Sequence, residues 1–390
     1  MPADRVDQAE AAPDSAAARA TAHSTASLLH PSHRGATAPS GRHHDHRPQR
    51  AEPGPGMLRP ALFLGGVALL VFSMAVSVRI GISDIGYADL GRVLGSRLGL
   101  AVEPLPPLVD SLIWDLRIPR VLLAAFVGAT LASCGAVLQA VTGNALADPY
   151  LLGVSSGASS GAVSVVVLGI GAGSLGVTGG AFAGALVSFG LLMFLLRRSG
   201  LDSVRILLTG VAVGQLFMAL TSLIVMASGD AETTRAVAHW LLGSMASARW
   251  DGVAICATVT AAGLFVLWSC STALDGFAFG QDTAASLGIN VRTMQNVLLV
   301  ATALLTAVAV AFVGAIGFVG LIVPHCVRFL VGPLHRSLLP FSALGGAVFL
   351  VVTDAVARVA FAPQEVPAGV FTALIGAPVF AVILRKRGGL

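Results

Sequence analysis

A single lysine, Lys386, stands among the 24 basic residues of this 390-residue chain; the others are arginine. A Walker A loop needs a lysine directly behind its glycines to reach nucleotide phosphates. No Gly-Lys pair occurs, which argues against ATP hydrolysis by this chain alone. Charge of either sign is scarce. Only 11% of residues are charged, against roughly 25% in a soluble domain, so a soluble core is excluded. The net charge is only +4, and no basic stripe interleaved with aromatics appears, so nothing points to nucleic acid. The four cysteines, Cys134, Cys256, Cys270 and Cys326, lack metal-ligand spacing and fall in or beside apolar runs. They read as small packing residues, not disulfides or metal ligands.

What is abundant is apolar. The chain is 55% hydrophobic, has a mean hydropathy of +0.83 and carries 45 glycines. Helices in lipid pack through small residues, because apolar side chains gain little by leaving lipid for one another. The expected class is an all-α, polytopic membrane protein.

Residues 1–56 form a separate region rich in Ala, Pro, Ser, His and Arg, with six of the nine histidines, among them His43, His44 and His46. Without an apolar run it cannot bury a core, and it is expected to be disordered. It lacks the basic-then-apolar opening of a signal peptide. A His-rich tail could bind metal ions, or be an unstructured extension. From residue 57 the chain is expected to form one transmembrane domain. A span needs ~20 residues, and apolar runs at 60–80, 120–141, 150–170, 176–196, 204–227, 252–270, 293–313, 315–331, 340–361 and 368–385 predict about ten helices. An even count puts both termini on one side. Arg59, Arg385, Lys386 and Arg387 mark that side as cytoplasmic, with only mild support from the arginines elsewhere. A faint repeat, Val127-Gly128-Ala129 with Val313-Gly314-Ala315, and Leu151-Leu152 before Ser155 with Leu338-Leu339 before Ser342, suggests two related halves.

Five polar features interrupt the apolar runs. The first spans 275–291, where a compact helix is expected between Gly280 and Gly288, with Asp282 near its positive end. Second, Asn144 and Asp148-Pro149 stop a helix, and Pro149 pushes Asp148 to an extended conformation. Behind them Gly153 to Gly157 matches the G-x-S-x-G elbow of serine hydrolases. That elbow needs a strand-turn-helix context, so helix packing through Gly and Ser fits better here. Third, Pro324 can kink a helix on which His325 and Arg328 share a face. His325 reads as a proton relay or as a structural, hydrogen-bonded residue. Fourth, Asp354 and Arg358 form an i, i+4 pair. Asp354 is nearly the only carboxylate well inside a span, which argues against a proton- or sodium-driven carrier. Fifth, Arg117 and Arg120 flank Pro119 before the second span. They could dock a partner's carboxylates or anchor to lipid headgroups.

In order along the chain, Leu-Arg-Ile-Pro-Arg (116–120), Ala-Asp-Pro-Tyr-Leu-Leu-Gly-Val-Ser-Ser-Gly-Ala (147–158), Gly-Gln-Asp-Thr-Ala-Ala-Ser-Leu-Gly (280–288), Gly-Phe-Val-Gly-Leu-Ile-Val-Pro-His-Cys-Val-Arg (317–328), His-Arg-Ser-Leu-Leu-Pro (335–340) and Thr-Ala-Leu-Ile-Gly-Ala-Pro-Val-Phe (372–380) resemble the permease subunits of type II ABC importers for iron-siderophores, haem and vitamin B12. The resemblance runs from about Arg117 to Leu384.

The resemblance implies a homodimer of ten-helix subunits in the plasma membrane. It also implies two cytoplasmic ATPase subunits holding ATP and Mg, and an external substrate-binding protein. This chain itself would have no catalytic residue, cofactor or metal. Gly280, Asp282, Ala284, Leu287 and Gly288 would couple to the ATPase. Arg117, Arg120 and Arg358 would face outward and dock the binding protein. Asp202, Ser203 and Val204 would sit at the cytoplasmic gate, and Gln139, Asn144, Asp148, Pro149, Pro324, His325 and Arg328 would line or brace the pathway. Ala145 stands where the family usually has Pro, and Asp202 and Val204 break a run of small hydroxyl residues. The expected cargo is an iron(III)-siderophore, with haem or cobalamin as alternatives. From other classes, a stand-alone secondary transporter and an intramembrane hydrolase using Ser155 or Ser159 with His325 are the rivals.

Overall fold

The computed structural model describes residues 55–81, 85–169, 174–199, 201–228 and 231–387, so nearly all of the expected tail over 1–56 lies outside the described residues. Among the described residues every regular element is helical: α1 (Pro55–Arg79), α2 (Tyr87–Arg97), α3 (Pro107–Val141), α4 (Val154–Leu168), α5 (Ser174–Ser199), α6 (Ser203–Ser228), α7 (Ala231–Leu241), α8 (Trp250–Ser269), α9 (Ser271–Ala278), α10 (Gln281–Ser286), α11 (Val291–Val313), α12 (Val319–Val331), α13 (His335–Val359) and α14 (Ala368–Arg387). Seven of them, α1, α3, α5, α6, α8, α11 and α13, are long and apolar enough to cross a membrane. The shorter apolar helices are α4, α12 and the Ala368–Ile383 part of α14. Each lies where an apolar run predicts a span.

The core is built on α3, which is buried along nearly its whole length and packs against α13, α12, α8 and α11. Glycine makes this possible. A Cβ on Gly128 would run into the carbonyl of Gly346 on α13, and one on Gly135 into the carbonyl of Gly320 on α12. Gly157 and Gly161 of α4 meet Gly180 and Gly184 of α5 in the same way. These backbones touch because no side chain separates them. Hydroxyls join the helices elsewhere: Thr130 and Thr260 are 2.7 Å apart across α3 and α8, and Ser160 donates to Phe217 O at 2.7 Å across α4 and α6.

Four expectations are corrected. The second span begins well before residue 120: α3 starts at Pro107 and passes through a π-helical turn, Leu112–Arg117, just ahead of Pro119. The wider turn falls where Pro119 supplies no N–H to the ladder. The run at 150–170 opens with a 3-10 turn, Pro149–Leu152, and becomes α-helical only after Gly153, at φ +73°. The run at 315–331 turns helical only at Val319, after Phe318 in the left-handed region at φ +70°. Finally, the faint repeat has no structural counterpart. Gly128 lies in mid-helix, whereas Gly314 ends α11, and Leu151-Leu152 sit in the 3-10 turn, whereas Leu338-Leu339 lie inside α13.

Candidate functional site

The segment 275–291 carries a short helix capped separately from the helices on either side of it. Asp275 to Ala278 complete α9, and α10 follows as a separate short helix. Gly280 at φ +100° opens α10 and Gly288 at φ +82° closes it. Around Gly288 the amide of Ile289 bonds to Ala284 O at 3.2 Å and that of Gly288 to Ala285 O at 3.0 Å. This crossed pair is a Schellman motif, which satisfies the last carbonyls and requires a left-handed residue at its hinge. Asn290 then caps α11 by accepting from Thr293 N at 3.1 Å. Ala284 is fully buried against α9, beside Gly276. Asp282 is exposed in the first turn of α10, while Phe279 and Leu287 stand 75% and 68% exposed on either side of it.

The expected gate residues open α6. Asp202 and Val204 are exposed, and Asp202 O accepts from Ile206 N at 2.9 Å. Next to them, Leu201 O accepts from Gln295 Nε2 of α11 at 3.5 Å. Gln295 therefore links the start of α6 to the helix that follows α10. Gln295 is one of several polar residues that open α11, Arg292, Thr293 and Asn296 among them, and nothing in that local pattern singles it out for this role.

Gln139, Pro149 and Arg328 come together at the junction of α3 and α12, and Asn144 and Asp148 shape the loop that leads from α3 to Pro149. Gln139 Nε2 donates to Gly320 O and Leu321 O, each at 3.3 Å, and its Oε1 accepts from Arg328 Nη1 at 2.6 Å. Asn144 Oδ1 accepts from Leu146 N at 2.9 Å, forming a turn without the usual proline. Asp148 Oδ1 accepts from Tyr150 N at 2.9 Å, and burial pushes its carboxyl up to about 6. Pro149 packs on Gly320, and the Tyr150 hydroxyl donates to Ile316 O at 2.8 Å. Pro324 and His325 are buried inside α12, where the imidazole meets the edge of Phe329 at 5.3 Å. All of these contacts are braces between or within helices.

At the far end of α13 lies the charge cluster. Arg117 and Arg358 are expected to face outward, and here the structure corrects the expectation: both are buried, 7% and 4% exposed. Arg117 Nη1 donates to Val78 O and Arg79 O at 2.8 and 2.9 Å. Arg358 donates to Ile80 O at 2.9 Å and to Ser77 O at 2.7 Å. The last carbonyls of α1 have no partners within their own helix, and they carry its negative dipole end. Two guanidinium groups from other helices supply the missing donors. Arg120 is different. It binds Asp354 Oδ1 at 3.0 Å and, with Nη1, the exposed Glu365 at 2.8 Å, while Asp354 also pairs with Arg358 at 3.3 Å.

A second pairing has no signal in the sequence. Asp275 Oδ1 accepts from His335 N and lies 2.7 Å from His335 Nδ1, joining α9 to the start of α13. Among the described residues, no three His, Cys, Asp or Glu side chains are arranged to hold a metal ion.

An apolar bundle of many helices, seven of them among the described residues long enough to cross a membrane and braced against one another by polar side chains, defines a polytopic helical membrane protein. The chain belongs to the FecCD transport family, whose model matches residues 69–386. Its family is that of ABC transporter permease subunits. It is 43% identical over 283 residues to the cobalamin import system permease protein BtuC of Halobacterium salinarum, covering 72% of this chain and 75% of that one. It is 36% identical over 333 residues to the iron-uptake system permease protein FeuC of Bacillus subtilis, covering 82% and 96%. A metal-chelate type ABC transporter solved in an inward-facing conformation superposes with a TM-score of 0.74 at 31% identity, covering 84% of this chain and 99% of that chain.

Proposed function

We propose that this FecCD-family ABC permease carries an iron(III)-siderophore into the cell as a homodimer of ten-span subunits. Both termini face the cytoplasm. A separate ATPase pair binds ATP and Mg, and an external binding protein delivers the chelate. The observation that carries the reading is α10, a short helix fixed between two left-handed glycines with Phe279 and Leu287 exposed beside it. Fully burying such a side chain is worth ~1.5–3 kcal/mol, so seating both in an ATPase cleft would supply a tight, defined contact. Asp282 fixes polarity at that contact. Asp202, Ser203 and Val204 act as the gate, reached from α10 through α11 and Gln295. Arg120 is the arginine open to a partner carboxylate.

The test is retention of the ATPase by the purified complex together with uptake in proteoliposomes. L287A and D282K are expected to weaken ATPase retention by about tenfold or more, the equivalent of ~1.4 kcal/mol, with membrane insertion unchanged. Full retention and uptake in both variants would sink the assignment of α10. Cobalamin is the second reading for cargo, favoured by the likeness to the cobalamin permease. Competition between labelled ferric siderophore and cobalamin for uptake decides between them.

A further inference from the structure

We propose that Asp275 and His335 form a latch that makes α13 the rod along which ATPase movement at α10 reaches the opposite face of the bundle. The proposal rests on the reading of α10 as the ATPase contact.

Three observations carry it. First, the junction is doubly bonded at a single oxygen. Asp275 Oδ1 accepts the backbone amide of His335 and lies 2.7 Å from its ring nitrogen. His335 is the first residue of α13, whose opening amides have no partner within the helix. Asp275 therefore does what a capping residue does, but from sixty positions away and from the helix directly before α10. A second tie lies beside it: Trp268 Nε1 donates to Arg336 O at 3.2 Å, and the Arg336 guanidinium sits 5.7 Å from the Trp268 ring centre. Both α8 and α9 are thus fastened to the first turn of α13.

Second, α13 can carry displacement along its length. It is a single 25-residue helix with Pro340 in its second turn, and the Arg336 carbonyl that Pro340 leaves without a helical donor is the one Trp268 Nε1 bonds. Its middle is held against α3 by the backbone approach of Gly346 to Gly128. Its far end bears Asp354 and Arg358, which engage Arg120 and the carbonyls that end α1. One continuous helix joins the α10 end of the bundle to the charge cluster.

Third, the latch is satisfied on one side only. His335 Nε2 is buried without a hydrogen-bond partner. An orphaned buried polar atom is costly, so this arrangement favours the present position of α9 less than a fully bonded junction would.

Asp275 and His335 are positioning residues. They touch neither cargo nor nucleotide. The experiment uses the assembled complex of the full chain with its ATPase and binding protein, and reads three quantities: ATPase retained, ATP hydrolysed and cargo carried. In D275A the cargo carried per ATP is expected to fall about tenfold, as for two lost, partly buried hydrogen bonds. Stimulation of hydrolysis by the binding protein should disappear, while ATPase retention stays at the parent level. H335N keeps the backbone cap and should lose about two- to threefold. D275H combined with H335D restores an imidazole–carboxylate contact and should recover part of the ratio. A merely structural role would lower protein yield, hydrolysis and uptake in parallel, with the ratio unchanged. Such parallel loss, or an unchanged ratio in D275A, overturns the latch. Should D275A fail to assemble, the ratio in H335N decides: a two- to threefold fall supports the latch and an unchanged ratio overturns it. If the unmodified chain retains no ATPase, the reading of α10 falls and takes the latch with it. Retention with an unaltered ratio defeats the latch alone.

Discussion

At the scale of single residues, glycines fall into two physical kinds. Gly135 has ordinary helical geometry, and what forbids a side chain there is the carbonyl of Gly320 pressed against it. Gly288 is the reverse: nothing lies within 4 Å of a Cβ, but φ +82° makes any L side chain costly. G135A is therefore expected to lower stability by ~1–3 kcal/mol through overpacking of α3 on α12. Gly91 on α2 has open space and lies in mid-helix, so G91A should be neutral or stabilising by up to ~1 kcal/mol. Thermal unfolding of the solubilised protein checks both, and equal loss in the two would mean that the close approach at Gly135 does not matter. The gap between Gly135 and Gly91 is invisible in the sequence, where each is simply a glycine in a helix.

At the scale of elements, the apolar helices are legible because each needs one uninterrupted run to match a bilayer. The helices that such runs do not reveal break that rule. Tyr87–Arg97 and Ala231–Leu241 are short and amphipathic, and their polar faces hide them between longer runs. The former is fastened to α3 by Arg97, which bonds Asp110 at 2.5 Å and covers the Trp114 ring at 4.9 Å. Its position depends on residues no local pattern connects to it. The boundary of α10 is legible for the opposite reason: Gly280 and Gly288 act locally, through their own backbone. Junctions between elements follow the same divide. Gln139 reads as one polar residue at the end of an apolar run, yet it clamps α3 to α12 through Gly320, Leu321 and Arg328. Q139L keeps the volume close but leaves those groups short of a partner. It is expected to cost ~1–3 kcal/mol, read as a lower unfolding temperature. Stability equal to the parent would show that the clamp is replaced by other contacts.

At the scale of the whole molecule, the charge cluster decides what its arginines can do. The structure gathers Arg117, Arg120 and Arg358 around the end of α1 and the end of α13. It separates their roles by partners that no spacing could reveal, since the carbonyls of Ser77 to Ile80 lie far away in sequence. Arg117 and Arg358 end α1, and exposing either to a partner would leave those carbonyls unbonded. Arg120 alone holds an exposed carboxylate, Glu365, whose side chain is 41% exposed. An exposed ion pair is worth only ~0.2–1 kcal/mol, so an incoming carboxylate can displace Glu365 at little cost. Removing that charge should then help docking. E365Q is expected to tighten binding-protein affinity by about two- to fivefold at low salt, the range that ~0.4–1 kcal/mol represents. The gain should shrink as salt screens the incoming charge. By contrast, R117Q and R358Q should reduce the yield of folded protein without a selective effect on docking. Titration of the binding protein onto the reconstituted complex separates these outcomes. Unchanged or weaker affinity in E365Q would remove Arg120 from the docking surface and leave the cluster as a structural brace for α1.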